Sequence, residues 1–308
     1  MSSAIPTQPT LQAQRGARFI VLVSVILPPL ALITVMWLAW GSGFGVVDLV
    51  LFAGMYLICG LGITIGFHRY FTHKSFDCPR WVKIMLGVTG SMACQGDLFW
   101  WCAVHRQHHH HSDELEDPHS PHVGSGNRFQ RFLYSHFGWL FRIEQPDQQR
   151  YVPDLRADPD LQMINRLFLL WVFISLALPA ILGGILTGTW FGAFTGLLWG
   201  GLVRIFFEHH VTWSVNSVCH IWGTQPYNSH DHSRNNVLVG VLALGEGWHN
   251  NHHAFPTSAR HGLAWWQFDS SWIVIKMMSW VGMARALKTP SKDRIAKTGP
   301  ASKPSSAI

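Results

Sequence analysis

The chain has 308 residues, of which 48% are hydrophobic and 13% charged, about half the charged share of an average soluble domain; with 16 Trp and 28 Gly this favours an integral membrane protein. The formal charge of +6 comes from basic residues scattered along the chain, which argues against a nucleic-acid-binding stripe. Cys59, Cys78, Cys94, Cys102 and Cys219 form no CxxC pair, and their odd count argues against a complete disulfide framework and suits a reducing compartment.

Residues 1–18 run directly into an apolar stretch without a small-residue cleavage site, so they are expected to be a retained N-terminal cytosolic tail rather than a leader. Residues 19–40, FIVLVSVILPPLALITVMWLAW, carry no charge and are long enough to cross roughly 30 Å of hydrocarbon. After GSGFG, residues 46–67 are again about one bilayer long, and the short link predicts an antiparallel hairpin. From His68 to about Arg166 charges, His and Pro dominate, except for an apolar piece at 81–94 that is too short to span. A second hairpin follows, with spans at 167–186 and 190–207 interrupted only by Arg204. Four spans place both termini and the histidine-rich regions on one side, and the Lys and Arg excess near the span ends marks that side as cytoplasmic. The stretch 265–283 mixes Trp, Met and Ile with polar residues, which suits a helix lying on the membrane or one packed inside a cap. Residues 288–308 are rich in Lys, Ser and Pro and are expected to be disordered.

The 19 histidines are grouped. HRYFTH sets His68 and His73 at the end of the second span, but five positions are about 140° apart on an ideal helix. They can serve one centre only from the edges of a broad face or with local distortion. In HRQHH, His105, His108 and His109 stand at i, i+3 and i+4, within about 100° of one helix face; His110 and His111 turn off it. HNNHH repeats that spacing with His249, His252 and His253. NSVCH, just past the fourth span, puts Asn216 and His220 one turn apart. Imidazole suits Fe, Zn and Cu, and eight or nine neutral imidazoles are too many for one ion, so two metals are expected. His119, His122, His136, His209, His210, His230, His232 and His261 read as ordinary packing or surface histidines. Among nearby acids (Asp97, Asp113, Glu114, Asp117, Glu208, Asp231 and Glu246), Glu246 foremost and then Asp231 are candidates to orient a ligand imidazole through its second nitrogen.

HRYFTH, HRQHH and HNNHH are similar to the three histidine boxes of the membrane fatty-acid desaturases. With GFHRYFTHKSF, HRQHHHHSDELEDPHSP, GEGWHNNHHAFP and NSVCH, residues 45 to 287 resemble the stearoyl-CoA (delta-9) branch. The resemblance implies an all-α integral membrane protein: a desaturase domain over 19–287 with four transmembrane helices in two hairpins and a cytosolic helical cap. It implies a di-iron centre held by His68, His73, His105, His108, His109, His220, His249, His252 and His253, with Asn216 acting through a water. It also implies a bent apolar tunnel for an acyl chain, which Phe99, Trp100, Trp101, Trp199, Trp213 and Trp248 could line. There is no HPGG-type haem-binding stretch, so electrons are expected from a separate ferredoxin or cytochrome b5.

The implied reaction is O₂-dependent formation of a cis double bond, at delta-9, in a saturated acyl-CoA. Removing hydrogens from an unactivated methylene pair is beyond ordinary side-chain acid–base chemistry and calls for iron and O₂ as co-substrate in a dry site. A di-iron hydroxylase of alkyl or acyl chains is the alternative on the same ligand set. A histidine-rich metal transporter is disfavoured, because its polar residues should line the spans and these histidines lie outside them.

Overall fold

The computed structural model describes residues 11–39, 44–141 and 145–299. These form helices and connecting segments only, with no strand beyond isolated bridges such as Asp77 to Arg285. Of the expected tail, residues 1–10 lie outside the described residues, while helix α1 (Leu11–Ala39) already begins inside it.

Four helices are long and apolar enough to cross a membrane, at Val21–Leu38, Val46–Thr72, Phe168–Thr187 and Trp190–Ile221. The second consists of α2 (Val46–Leu61) continued by a π-helical segment, Gly62–Thr72. After it come α3 (Arg80–Ser91), α4 (Leu98–His111), α5 (Arg128–His136), α6 (Gln148–Tyr151), α7 (Pro153–Arg156) and α8 (Pro159–Arg166). The third is α9 (Phe168–Thr187). The fourth combines α10 (Trp190–Gly196), a second π-helical segment, Leu197–Val203, and α11 (Arg204–Ile221). The second and fourth therefore run beyond the expected ends at 67 and 207. At 32 residues the fourth is roughly 48 Å long, more than the roughly 30 Å of hydrocarbon, and its surplus carries Asn216 and His220 toward the cap. The remaining helices are α12 (Val237–Leu242), α13 (His249–Ala254), α14 (Ser270–Trp280) and α15 (Lys292–Thr298).

The spans expose Leu169, Phe173, Ile185 and Phe191 on their outer faces, as lipid-facing helices do, so their mutual packing must come from close backbone approach. At the α9–α10 turn Gly188 takes φ +67° and Thr189 caps α10 by accepting from Gly192 N at 2.9 Å. A Cβ at Gly196 would fall 2.3 Å from Pro179 O. Gly196→Val is therefore expected to separate these helices and cost roughly 1–3 kcal/mol as overpacking, seen as a lower melting temperature of the detergent-solubilised protein beside a Gly54→Val control, where nothing lies within 4 Å of the added Cβ.

The main core sits under the cap, where Phe67 and Phe71 of the π-helical segment meet Leu86 of α3, Leu98 and Cys102 of α4 and Leu161 of α8. Helix α14, within the stretch 265–283, packs one face into the cap and leaves the other exposed. Ser271, Ile275 and Met278 are buried, with Ser271 Oγ 2.6 Å from Thr64 Oγ1, while Ile273, Met277 and Trp280 are exposed. The expectation of disorder from residue 288 is corrected for its first part. Ser291 accepts from Arg294 N and caps α15, and the Arg294 guanidinium lies 5.6 Å from the Phe255 ring centroid. A capped turn tied to the cap in this way is held despite its polar composition. Residues 300–308 lie outside the described residues.

Candidate metal centre

Four elements bring the histidines together. His68 and His73 come from the π-helical segment, His105, His108 and His109 from α4, His220 from α11, and His249, His252 and His253 from α13. The difficulty with the HRYFTH spacing is removed by the helix itself. His73 N donates to His68 O at 3.2 Å, an i→i+5 bond, and the wider π turn returns residues five apart to nearly one face.

The nine imidazoles form two groups: His68, His73, His105, His109 and His252 in one, and His108, His220, His249 and His253 in the other. Within each, the ligand nitrogens lie within 4.8 Å of one another. In the first, Nε2 of His252 is 3.0 Å from Nε2 of His68 and 2.8 Å from that of His109, and Nε2 of His105 is 3.1 Å from Nε2 of both His73 and His109. In the second, His220 and His249 approach at 3.0 Å and His108 and His253 at 3.4 Å. Each HxxHH box is divided between the groups. His105 and His109 are about 40° apart on α4 and face one centre, while His108 lies off to the other side. Asn216, one turn before His220, lines the same cavity as His68, His105 and His249.

The outward nitrogens explain why the inward ones converge. His108 Nδ1 and His220 Nδ1 each lie 3.0 Å from Asp117 Oδ2 and Asp113 Oδ2, and His253 Nδ1 lies 2.5 Å from Asp231 Oδ2. His68 Nδ1 lies 2.5 Å from Glu246 Oε2. A neutral imidazole that donates Nδ1–H to a carboxylate presents the Nε2 lone pair inward. Burial pushes the Asp117, Asp113 and Asp231 carboxyls up, but His108, His220 and His253 respectively overcome it and hold all three well below the usual range. For His73, His105, His109, His249 and His252, burial first and neighbouring imidazoles second keep the rings neutral. Neutral nitrogens meeting at about 3 Å, as His105 meets His73 and His109 and His109 meets His252, cannot all satisfy one another as donors and acceptors, whereas a cation accepting their lone pairs would satisfy them. The donor set therefore fits two metal ions.

Glu246 and Asp231 both stand against ligand-candidate imidazoles, and Asp113 and Asp117 do the same. Asp97 instead caps α4, Glu114 is largely exposed, and Glu208 pairs with Arg204 in the fourth helix. The sequence reading missed Arg69, inside HRYFTH. Its fully buried guanidinium donates to Glu246 Oε1 at 3.1 Å, Asp269 Oδ1 at 2.9 Å and Ala259 O at 2.8 Å. His261 was also read as ordinary, yet it is buried with its ring 4.5 Å from His252 and its Nδ1 3.3 Å from Glu246; burial lowers its pKa to about 4. Neither has a spacing that sets it apart in the sequence. Removing Glu246 frees His68 and leaves Arg69 underpaired. Glu246→Ala is expected to weaken metal binding by about 10–100-fold, read as metal retained after dialysis against a graded chelator.

An apolar cavity begins at these histidines and encloses about 590 Å³ including its mouth. Thr64, Gly60 and Tyr56 stand four, eight and twelve residues before His68, and Asn216, Thr212 and Glu208 stand likewise before His220, so two matched helix faces form its walls. Of the six aromatics expected there, Trp101 alone is among the lining residues; Val211, Val215, Leu242 and Leu244 supply much of the rest. Trp100 stacks on Trp139, Trp199 packs against Phe44, Trp213 lies beside His209, and Phe99 and Trp248 are buried elsewhere.

Residues 47–276 match the profile of the fatty acid desaturase family. The chain is 39% identical over 275 residues to a hex-5-enoyl-[acyl-carrier protein] acetylenase of Moorena producens, covering 88% of this chain and 86% of the relative. It is 41% identical over 246 residues to an sn-1 stearoyl-lipid 9-desaturase of Synechocystis sp. (79% and 72%), and 41% over 243 residues to an acyl-CoA C20 Delta5-desaturase of Anemone leveillei (77% and 73%). With two buried histidine groups opening on an apolar cavity and this similarity over most of its length, the chain belongs to the fatty acid desaturase family and is an oxidoreductase.

Proposed function

We propose that this chain is an O₂-dependent desaturase that introduces a cis double bond at delta-9 into a saturated acyl chain carried as an acyl-CoA thioester. The observation that carries the reading is the apolar cavity that starts at the two histidine groups and runs down between the second and fourth helices. Twelve residues of helix are about 18 Å, a length suited to the methyl-terminal part of an acyl chain.

In this reading His68, His73, His105, His109 and His252 hold one iron, and His108, His220, His249 and His253 hold the other, with Asn216 acting beside His220 through a water. Bound iron supplies the O₂-dependent oxidising power that removes two hydrogens from an unactivated methylene pair. The protein's part is positional. Asp113, Asp117, Asp231 and Glu246 hold the imidazoles in their metal-binding tautomer, and Thr64, Trp101 and Val215 press the chain against the site and keep bulk water out. The histidine face lies on the cytoplasmic side with both termini, following the Arg and Lys bias near the span ends, and a separate ferredoxin or cytochrome b5 delivers electrons.

The test is the fatty-acid profile of a desaturase-deficient host by gas chromatography–mass spectrometry, followed by assay of purified iron-loaded protein on stearoyl-CoA with O₂ and reduced ferredoxin or cytochrome b5, with and without a chelator. A new monounsaturated chain with its bond at carbon 9, lost on chelation, is expected. A hydroxylated chain would replace the reading with a hydroxylase on the same ligands. The similarity to an sn-1 stearoyl-lipid 9-desaturase favours a second reading in which the chain is esterified to a glycerolipid; product from the lipid and none from stearoyl-CoA would establish it.

A further inference from the structure

The fourth membrane-spanning helix carries a buried ion pair beside the acyl cavity. Arg204 and Glu208 stand one turn apart, 0% and 3% exposed, and Arg204 Nη1 donates to Glu208 Oε2 at 2.9 Å. The rest of the guanidinium is engaged without a second carboxylate oxygen: Nη2 donates to Ser175 Oγ at 2.5 Å and Nε to Gly200 O at 3.3 Å. Ionisable groups within spanning helices are costly and rare, and they commonly mark a site.

One oxygen of this pair is left over. Glu208 Oε1 is buried and has no hydrogen-bond partner among the described residues. Glu208 and Gly60 both line the cavity, and Oε1 lies 3.8 Å from where a Cβ on Gly60 would stand, so this oxygen is on the cavity side while Oε2 is turned to Arg204. Gly60 is eight residues before His68, at most about 12 Å along the helix. An extended carbon chain with bonds of about 1.52 Å and angles of about 111° advances about 1.25 Å per carbon, so about nine or ten carbons cover that distance. Counted from a bond at carbon 9, the oxygen is level with the far end of an 18-carbon chain.

A methyl end placed there would leave a buried acceptor unsatisfied, which costs the full desolvation of that oxygen. A hydrogen-bond donor on the chain would remove the cost. Arg204 already balances the carboxylate, so an ammonium group would bring an uncompensated buried charge, whereas a neutral O–H fits. Tyr56, at the same end of the cavity, does not supply it, because its hydroxyl donates to Leu242 O at 2.9 Å. We propose, resting on the desaturase reading, that the cavity takes acyl chains carrying a hydroxyl on the terminal carbon, and that this hydroxyl donates to Glu208 Oε1. Glu208 is then the residue that selects the far end of the substrate, with Arg204 holding it in place.

The test uses the full iron-loaded chain in detergent without O₂, so that nothing turns over, and follows displacement of radiolabelled stearoyl-CoA. 18-Hydroxystearoyl-CoA is expected to compete at about tenfold lower concentration than unlabelled stearoyl-CoA. 12-Hydroxystearoyl-CoA, whose hydroxyl stops about 7 Å short of the oxygen, is expected to compete no better than stearoyl-CoA. Equal competition by the 18-hydroxy and plain chains, as a water resident on Oε1 would produce, overturns the proposal, and so does a 12-hydroxy chain that matches the 18-hydroxy one. Glu208→Leu alone would strand the Arg204 charge, so the variant is Arg204→Leu with Glu208→Leu, an apolar replacement of the whole pair. Its affinities for the three chains are expected to fall within about threefold of one another; a preference for the 18-hydroxy chain retained in the folded double variant overturns the assignment to Glu208. If the double variant does not fold, the three chains on the parent decide. A parent that prefers the 18-hydroxy chain yet forms no unsaturated product with O₂ and a reduced carrier upholds the hydroxyl site and counts against the desaturase reading instead.

Discussion

Replacing His252 with Ala is expected to lower product formation by about 100-fold or more, beyond the 10–100-fold typical of losing a group one step removed from a metal, and to reduce iron from two per chain to one or fewer. His252 is fully buried, with Nε2 3.0 Å from that of His68 and 2.8 Å from that of His109. Alanine there removes one of five converging nitrogens, and the other four cannot close around the gap because α4 and the π-helical segment are fixed by the core beneath them. His108→Ala is expected to do the same to the second group. His110→Ala is the control, since this neighbour is exposed and belongs to neither group. Metal analysis beside a lipid profile makes the check, and two irons retained with full activity in His252→Ala would sink the ligand assignment.

Arg69→Met is expected to be the most destabilising single change, costing about 3–5 kcal/mol because it leaves buried carboxylates without their cation. The Arg69 guanidinium is fully buried and bridges Glu246, Asp269 and the Ala259 carbonyl. Asp269 in turn accepts from His261 N at 2.7 Å and caps α14 by accepting from Trp272 N at 2.9 Å. One side chain therefore ties the second helix, the carboxylate behind His68 and the start of α14. Lysine cannot reproduce a fork that meets two carboxylates and a carbonyl together, so Arg69→Lys should recover little. Melting of the detergent-solubilised protein, with Asp269→Asn added to Arg69→Met, gives the check. Partial recovery in the double variant is expected, and a melting temperature for Arg69→Met equal to the parent's would show that the buried network contributes nothing.

The nine histidines were legible because local spacing and chemistry coincide. HRQHH and HNNHH are helical repeats, and a run of imidazoles beyond the ends of apolar spans has few structural uses. Glu246 was recognisable as an acid just before HNNHH, and Asp231 as one flanked by histidines in SHDHS. Asp113 and Asp117 stood close behind HRQHH, and nothing local distinguished them from the exposed Glu114. What separates them is approach in space: Asp113 meets His220 from 107 positions away. Arg69 and His261 were hidden for the same reason, since their partners lie 177 residues away at Glu246 and 15 residues away on a loop.

Composition and periodicity by themselves determined four apolar helices and the residue types that face the centre, because these depend on transfer to hydrocarbon and on the helical repeat. The tertiary structure decided the rest. It divided each HxxHH box between two groups, put His68 and His73 on one face through a π-helical turn, and lined the cavity with aliphatic side chains where aromatics were expected. It also kept residues 292–298 as a capped helix. Each of these outcomes depends on which distant surfaces meet and on a backbone hydrogen-bond register that shifts by one residue, and neither quantity is written in a local pattern.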